Sequence, residues 1–307
     1  MPEIIEVRKY ADFIRKYCKN KEIIDIKILN GRYKKHKPFE KYYQIKNNLP
    51  LKIVDVKTKG KLLYIIFDSN SKFYILSTLG LSGGWCYFSE SKNKFLFSKN
   101  VDDYAKYLSD EKINTYLKKS LKHLNIEFKT TDGSLYFFDM LSFGTLRCIE
   151  DENELNKILN KIGPDIMDIS TNLELFTERI LKIKNLNKYI GLILLNQKII
   201  SGIGNYLRAD ILYLSRISPF RKVEDLNDKE IKLIYNNAKI LTWGNYDRIN
   251  GINLNIIKKI TKLAYDYDRL FFVYNQETDI YGNKVMRKEL YEGSQKRFIY
   301  YVPKLQK

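Results

Sequence analysis

The chain has 307 residues, enough for two domains with separate cores. Its 54 Lys and Arg against 36 Asp and Glu give a formal net charge of +18. An excess this large favours a polyanionic partner, nucleic acid before an anionic membrane surface, although charge kept for solubility stays open. The 24 Tyr and 16 Phe argue against a disordered basic tail.

Only three cysteines occur, and no pair of them forms a CxxC motif. We therefore expect neither a disulfide framework nor a cysteine-based metal site, and the chain suits a reducing intracellular compartment. No apolar run approaches the ~18 residues of a membrane-spanning helix. The charged N-terminal segment also lacks the apolar core of a signal peptide. We expect an intracellular protein that works wherever its nucleic acid is, with no membrane partner.

The N-terminal half is predicted to be one helix followed by strands. Apolar residues recur every three to four positions over residues 5–19, which indicates an amphipathic helix. From residue 22 to residue 145 the pattern is typical of strands, and the polar segment 68–71 marks a hairpin turn. The clearest strands are LKIVDV (51–56), LLYIIF (62–67), KFYILSTL (72–79) and SLYFFDM (134–140). This half predicts a two-layer β-sandwich with a leading helix.

After Gly163-Pro164-Asp165 the apolar period changes to that of helices. The C-terminal segment returns to strands, with VMRKELY (285–291) and KRFIYYV (296–302) joined by a turn at 292–295. The predicted fold class is therefore α+β. Helices are expected near 170–183, 187–198, 204–215, 227–243 and 252–266.

The segment SGIGNYLRAD (201–210) lies between two of these helices and predicts a helix-turn-helix. Gly202 and Gly204 permit a tight turn and the close approach of a partner. Asn205 stands where the second helix exposes N–H groups, which together with the helix dipole form an anion site. A structural role fits the same pattern, with Asn205 as an N-cap and the glycines as a turn.

The longer stretch NQKIISGIGNYLRADILYLSRISPF (196–220) resembles the helix-two-turns-helix signature of the formamidopyrimidine-DNA glycosylase and endonuclease VIII family. It keeps the family's Gln-Lys pair, its Gly-x-Gly-Asn sequence, an acidic residue at Asp210 and a Pro near the end. The resemblance implies that Lys198, Gly202, Gly204 and Asn205 contact DNA.

Members of this family begin with Pro and Glu after the initiator Met, as Pro2 and Glu3 do here. Removal of Met1 would expose a secondary amine, and an α-amino group titrates near ~8, so part of it can attack an aldehydic carbon at neutral pH. The resemblance implies Pro2 as the nucleophile, Glu3 as general acid or base, and Glu6 at the DNA interface. The pair Ile4-Ile5 departs from the family pattern, in which a small residue or Leu precedes a Pro.

Two further positions match the family in the N-terminal half. Lys61 follows Gly60 in a predicted hairpin, where the family places a phosphate-binding lysine that assists proton transfer; by chemistry alone it is one of many surface lysines. Leu81, within Gly80-Leu81-Ser82-Gly83, matches an apolar wedge that fills the gap left by an extruded base. The alternative for Leu81 is a core position at the end of a strand.

A second wedge is implied by Asp139-Met140-Leu141-Ser142-Phe143-Gly144, which resembles the family sequence Asp-x-Arg-x-Phe-Gly. Phe143 is kept, but Leu141 stands in place of the Arg that reads the orphaned partner base in the family. We hypothesise that discrimination of the partner base is weaker in this chain than in relatives that have the Arg.

The C-terminal segment 273–303 contains no Cys or His. It resembles the zincless finger of the endonuclease VIII-like branch, in which packing replaces the four zinc-binding cysteines of other members. We expect apolar pairing among Val285, Leu290, Phe298 and Tyr300. Arg297 matches the finger arginine that grips a phosphate through bidentate N–H bonds, although taken alone it suits a solvated hairpin position.

The resemblance implies an N-terminal catalytic β-sandwich domain (1–150), a helix-two-turns-helix DNA-binding domain (151–270) and a zincless finger hairpin (271–307), with DNA in a basic cleft between the halves. The implied activity is excision of oxidised bases, mainly pyrimidines and ring-opened or further-oxidised purines, through a Schiff base at Pro2, followed by β,δ-elimination. Glu3, Lys61 and Arg297 complete the implied catalytic set. No metal or organic cofactor is implied, and we expect a monomer on damaged duplex or single-stranded DNA.

Two other functions compete with this interpretation. A non-catalytic binder of damaged or single-stranded DNA is suggested by Ile4-Ile5 and by the missing Arg at position 141. An RNA-binding protein would explain the charge, but it would not explain why Pro2, Lys61, Asn205 and Arg297 occur together.

Overall fold

The structure is a computed structural model, and it describes residues 2–68, 73–98, 121–249, 271–292 and 295–307. The chain divides into two compact units, Met1–Asn160 and Lys161–Lys307. The helix predicted at 252–266 lies outside the described residues, as do parts of the turns predicted at 68–71 and 292–295. Within the described ranges, no helix is both long and apolar enough to cross a membrane.

The first unit is built on one antiparallel nine-stranded sheet. Its strands are Glu22–Ile28 (β1), Leu51–Lys59 (β2), Leu62–Asp68 (β3), Tyr74–Thr78 (β4), Gly83–Ser89 (β5), Lys94–Phe97 (β6), Leu124–Thr130 (β7), Gly133–Asp139 (β8) and Thr145–Ile149 (β9). Their spatial order is β6-β5-β8-β7-β1-β2-β3-β4-β9. The order means that two connections, β4 to β5 and β8 to β9, each run from one part of the sheet to a distant part.

The leading helix α1 (Ile4–Cys18) explains how this sheet closes over a core. Its apolar residues repeat at helical spacing and bury Val7 and Ile14, and the helix packs against β2, β3 and β5. Strands β3 and β5 are well separated in the order, yet Ile65, Trp85 and Phe137 belong to one buried cluster. The sheet therefore folds over a single core as the two layers of a sandwich, and the predicted α+β class is confirmed.

Three further helices were not predicted from the sequence. Two of them lie in the strand region and, at four and six residues, are too short to show a helical period, and the third follows that region. These are Arg32–Lys35 (α2), Tyr42–Asn47 (α3) and Glu152–Asn160 (α4).

The second unit is helical and ends in a hairpin. The helices are Leu173–Ile180 (α5), Ile190–Ile193 (α6), Asn205–Leu214 (α7) and Asp228–Ile249 (α8), and the hairpin strands are Met286–Glu292 (β10) and Gln295–Tyr301 (β11). Helix α7 packs against both α8 and β11. It therefore sits at the centre of this unit.

The prediction of a helix over 187–198 was wrong in extent, because α6 has only four residues. The physical reason lies in two side chains that bond to nearby backbone. The Asn196 Oδ1 accepts the Lys198 N–H at 3.0 Å, and the Gln197 Nε2 donates to the Leu195 carbonyl at 2.8 Å. Such local bonds compete with the helical ladder and favour a turn.

Candidate active site and DNA interface

The N-terminus of α1 holds the proposed nucleophile. Pro2 is half-buried immediately before the helix, and Glu3 is fully buried as its N-cap. The Glu3 N–H donates to the Glu6 carboxylate at 2.8 Å, and the two glutamates form a capping box. Ile4 and Ile5, the two departures from the family pattern, are both core residues. The start of this helix is thus anchored, and Pro2 lies at the positive end of its dipole.

Lys61 lies on the turn between β2 and β3. Lys59 pairs with Leu62, so the turn has two residues, and Gly60 has a φ of 55°. Gly is favoured at this first turn position because an L side chain rarely adopts positive φ. The Lys61 side chain is half-buried at the tip of this hairpin. The two-residue turn restricts the backbone conformation at Lys61.

Two loops of the first unit meet and carry apolar side chains; we call residues 79–82 and 140–144 the paired loops. Asp139, at the end of β8, is buried and organises both of them. Its carboxylate accepts the Ser82 hydroxyl from one loop and the Gly144 N–H, at 2.6 Å, from the other. The Leu141 N–H donates to the Ser82 Oγ at 2.9 Å, which joins the loops directly.

The paired loops expose three large apolar residues together. Leu81 is 45% exposed, Leu141 is 56% exposed and Phe143 is 60% exposed. The inward, core position considered for Leu81 is therefore excluded. The loops approach so closely that a Cβ on Gly80 would lie 2.6 Å from the Gly144 N. Apolar side chains held in this way by a buried carboxylate are suited to inserting into a base stack.

The second unit presents the glycine-rich turn between α6 and α7. The Gln197 side chain closes this turn, since its Nε2 donates to the Ile203 carbonyl at 2.8 Å and its Oε1 accepts the Gly202 N–H at 2.9 Å. Gly202 has a φ of 105°, a conformation that glycine adopts readily and that residues with a side chain rarely adopt. Gly202 and Gly204 are buried in the turn, whereas Lys198 is exposed at its start.

Asn205 is not an N-cap, because Gly204 holds that position and Asn205 is the first helical residue. Its Oδ1 accepts a hydrogen bond from the Arg208 Nη2 at 2.9 Å. A guanidinium can only donate, so this contact fixes which end of the Asn205 amide is oxygen. Among the described residues, the NH₂ end has no hydrogen-bond partner. The arrangement offers an N–H donor at a helix N-terminus, which suits an anion.

Arg208 is the residue that the sequence pattern did not single out. It is fully buried in α7, and its Nη1 donates to the Gly191 carbonyl at 2.9 Å. Its Nη2 donates to the Phe298 carbonyl at 2.7 Å as well as to Asn205. One guanidinium thereby joins α6, α7 and the strand β11. The available signal was a charged residue within an apolar helix, but its partners lie far away in sequence.

Asp210 has a similar bridging role two residues further along α7. It is buried, and its carboxylate accepts the N–H groups of Phe272, Val273 and Tyr274 at 3.0–3.3 Å. Burial raises the pKa of Asp210 to about 7, while the three N–H donors lower it. The acidic residue in the 196–220 motif thus holds the segment that leads into the hairpin.

The finger hairpin pairs Arg297 with Leu290, and Arg297 is exposed. The expected apolar pairing of Phe298 and Tyr300 with Leu290 was wrong. The register places Phe298 opposite Glu289, on the other face from Leu290, and Ile299 is the buried residue of β11 beside it. Side chains alternate between faces, so adjacent residues cannot share one.

A zinc site does not fit this finger. Residues 273–303 contain no Cys or His, and the inward face of the hairpin is formed by Leu290, Ile299 and Tyr301, which are buried. Elsewhere in the described ranges, no group of three or more His, Cys, Asp or Glu side chains is placed to hold a metal ion.

The cysteines do not offer a competing nucleophile. Cys18, Cys86 and Cys148 are all buried as free thiols. Burial raises the pKa of both Cys18 and Cys148 to about 12, and that of Cys86 further. These thiols stay protonated at neutral pH and lack the thiolate that attacks carbon.

The structure thus brings several predicted residues together within each unit. In the first unit, Leu81 and Phe143 are both exposed on the paired loops, and Pro2, Glu3 and Glu6 share the start of α1. In the second unit, Gly202, Gly204 and Asn205 form one turn, and Arg208 connects Asn205 to the strand that carries Arg297. Lys198 lies apart from Asn205, at the other end of the turn.

Comparison with known proteins agrees along most of the chain. A profile of the formamidopyrimidine-DNA glycosylase N-terminal domain matches residues 1–146, and one of the formamidopyrimidine-DNA glycosylase H2TH domain matches residues 162–243. The formamidopyrimidine-DNA glycosylase of Mycoplasma genitalium is 30% identical over 244 residues, covering 78% of this chain and 74% of that protein. That of Bacillus cereus (strain ATCC 10987) is 26% identical over 281 residues, covering 90% and 89%.

Solved structures show the same fold. The Lactococcus lactis formamidopyrimidine-DNA glycosylase, non-covalently bound to DNA with an AP site, superimposes with a TM-score of 0.72 at 21% identity and covers 99% of both chains. The chain therefore belongs to the formamidopyrimidine-DNA glycosylase and endonuclease VIII family, a family of DNA-repair glycosylases that also cleave abasic sites.

Proposed function

We propose that this protein excises oxidised bases from DNA and then cuts the strand, using the Pro2 amine as its nucleophile. The observation that carries the proposal is the anchored start of α1, where Pro2 precedes the buried Glu3 and the capping box with Glu6. The positive end of the helix dipole favours the uncharged form of the amine, which is the form that attacks carbon, whereas the carboxylates of Glu3 and Glu6 favour the charged form.

The proposed reaction begins with attack of the Pro2 nitrogen on C1′ of the deoxyribose. The bond from C1′ to the base breaks, and the base leaves with a proton. Glu3 aids protonation of the ring oxygen O4′, the C1′–O4′ bond breaks, and an iminium links Pro2 to C1′. Loss of a C2′ proton then breaks the C3′–O bond, and loss of the C4′ proton breaks the C5′–O bond. Water hydrolyses the remaining iminium, so the products are the free base, an unsaturated aldehyde from the sugar, a strand gap with phosphates at both ends, and the free Pro2 amine.

The remaining residues would hold the flipped nucleotide. Lys61, Asn205 and Arg297 supply N–H donors to phosphates, and a base inside the duplex must be extruded before chemistry at its sugar. The paired loops would fill the vacated space with Leu81 and Phe143. The orientation of the Asn205 amide, whose Oδ1 accepts from Arg208 and whose NH₂ is therefore available as a donor, supports this role.

Oxidised pyrimidines and ring-opened or further-oxidised purines are the proposed lesions. A solved Lactococcus lactis formamidopyrimidine-DNA glycosylase complex holds DNA with an oxidised pyrimidine, and another holds Fapy-dG DNA, so the fold is compatible with both classes. Activity on single strands, the monomeric state and membership of the zincless branch stay predictions.

Borohydride trapping tests the proposal. We expect the purified protein to form a covalent adduct with abasic-site DNA in sodium borohydride, because the reagent reduces the iminium to a stable amine. Pro2→Gly keeps an amine but not the secondary amine of Pro, and its adduct should fall at least tenfold. Intact mass shows whether Met1 has been removed in the preparation used.

Binding of the same DNA without any adduct, in protein that lacks Met1, would sink the lyase proposal and favour the non-catalytic binder. Lys232→Gln, an exposed change on α8, serves as the control for general effects of substitution.

A further inference from the structure

A small basic concavity lies on the second unit, apart from the NH₂ group of Asn205. It has a volume of about 200 Å³ and is lined by residues of three segments: the end of α5, the following loop and the start of the glycine-rich turn. Its charged and polar lining includes Arg179, Lys182, Lys184, Lys188, Asn196 and Lys198. We call it the basic pocket.

We propose that the basic pocket binds a further phosphodiester of the DNA, beyond those assigned to Lys61, Asn205 and Arg297. The inference rests on the proposed function only in that DNA is the ligand. Lys198 would then bind phosphate together with the other lysines of the basic pocket, and not together with Asn205.

The positive charge of the basic pocket is mostly unbalanced. Lys182 is paired with Glu178, at 3.4 Å. Lys184, Lys188 and Lys198 have no carboxylate within salt-bridge distance in the part of the chain that the structure describes. Like charges that converge on a concave surface repel one another, and a bound anion relieves that repulsion. Lysines that serve only solubility would have no reason to converge from separate segments.

Side-chain hydrogen bonds hold the backbone around the basic pocket in a fixed arrangement. The Arg179 Nη2 donates to the Lys198 carbonyl at 2.7 Å, and its Nε donates to the Ile199 carbonyl at 3.3 Å. Asn185 is buried, and its Nδ2 donates to the carbonyls of Arg179 and Ile180 at 3.0 and 3.2 Å. These bonds fix the helix end, the loop and the turn to one another, so the cations are presented on a preorganised surface.

Lys198 in the basic pocket and Asn205, the proposed DNA contact, belong to one turn. Lys198 and Asn205 are the two ends of a segment closed by the Gln197 side chain. Duplex DNA carries one negative charge for each ~1.7 Å of its axis, so a strand held at Asn205 presents further phosphates close by. The ligand class is the sugar–phosphate backbone, with no preference for base sequence.

The test is the salt dependence of binding by the full chain. The triple variant Lys184→Gln, Lys188→Gln, Lys198→Gln is compared with a charge-matched control, Lys229→Gln, Lys232→Gln, Lys304→Gln, which alters exposed lysines of the same unit outside the pocket. Affinity for a duplex with a stable abasic-site analogue is measured from low to high salt. Each lost phosphate contact lowers the slope of log K against log salt by about 0.9.

We expect the pocket variant to reduce the magnitude of that slope by about 0.9 and to weaken binding about tenfold at low salt, while the control keeps the wild-type slope. Equal effects of the two variants would overturn the proposal, since net charge alone would then explain both. Wild-type borohydride trapping is scored separately, so a failed lyase proposal and a failed pocket proposal give different results. Melting temperatures confirm that both variants are folded.

Discussion

Arg208 supports two residues that we propose contact DNA. Its buried guanidinium bonds to the Asn205 Oδ1 and to the Phe298 carbonyl, next to Arg297 in the finger strand. We therefore regard it as a positioning residue, one that acts through Asn205 and not on the phosphate itself. Its second anchor, the Gly191 carbonyl, sets where the guanidinium sits.

Arg208→Lys should weaken DNA binding about tenfold, because one ammonium cannot reach three acceptors in the fork geometry of a guanidinium. Unfolding free energy should fall as well, since each buried carbonyl left unpaired costs roughly 1–3 kcal/mol. A double-mutant cycle with Asn205→Ala separates the two effects. Positioning predicts that the two losses of affinity do not add. Additive losses would show that Arg208 acts on affinity independently of Asn205, and no loss of affinity in Arg208→Lys would show that Arg208 serves stability alone.

The role of Asn205 could be predicted in part from the sequence, whereas the role of Arg208 could not. The Gly-x-Gly-Asn motif singled out Asn205, although its pattern fitted a cap as well as an anion site. The choice between these two roles depends on which residue is the N-cap, and the backbone geometry places Gly204 there. Arg208 could not be predicted, because one of its partners lies 90 residues away in the chain.

At the scale of elements, the paired loops are the part of the first unit most open to test. They join β4 to β5 and β8 to β9, and Asp139 holds them together. Leu141 is exposed beside Leu81, where the family pattern has an Arg. An apolar side chain offers no donor to a base edge, whereas a bidentate Arg pair is worth roughly 1–3 kcal/mol of discrimination.

We expect the wild-type protein to cleave one lesion at similar rates opposite each of the four bases. Leu141→Arg should introduce a preference of about fivefold or more, without loss of stability, because position 141 is exposed. Cleavage rates on four matched duplexes measure both. A strong preference in the wild-type protein would contradict the hypothesis, and Leu141→Met controls for side-chain size.

Elements with a strong apolar period were predictable, and those fixed by side-chain-to-backbone bonds were not. Helix α1 and the pairing of β3 with β4 follow the patterns of residues 5–19 and 62–79. Helix α6 is shorter than its apolar run because Asn196 and Gln197 bond to the backbone. The finger strands were predicted, but their register decided which residues face inward.

For the whole molecule, the basic composition favoured a nucleic-acid partner, while the arrangement of charge could be seen only in the structure. The lysines of the basic pocket come from different segments, and no local window groups them. The compact unit Lys161–Lys307 also contains no His, since both histidines, His36 and His123, lie in the other unit. That leaves few groups that titrate near neutral pH in this unit.

Asp210 should therefore dominate the pH dependence of stability in the second unit. Its pKa is about 7 when folded, above its ordinary value of 3.8, so the folded state binds more protons between these values. Stability is then greatest at low pH and falls as pH rises through 7, by at most about 1.4 kcal/mol per pH unit. Calorimetric unfolding from pH 5 to 8 measures the decline, and Asp210→Asn should flatten it. Parallel curves for the two proteins would contradict this assignment.

The packing of the finger has a consequence for the conditions in which the protein works. Oxidants that damage bases also attack zinc-bound thiolates. A finger held together by zinc can therefore be damaged when oxidised bases, the substrates of the enzyme, are most abundant. Here residues 273–303 hold no thiol, and Leu290 and Ile299 close the hairpin against its own unit. The three cysteines of the chain are enclosed elsewhere as protonated thiols. The finger that we propose grips DNA is therefore independent of zinc supply and has no thiolate for those oxidants to attack.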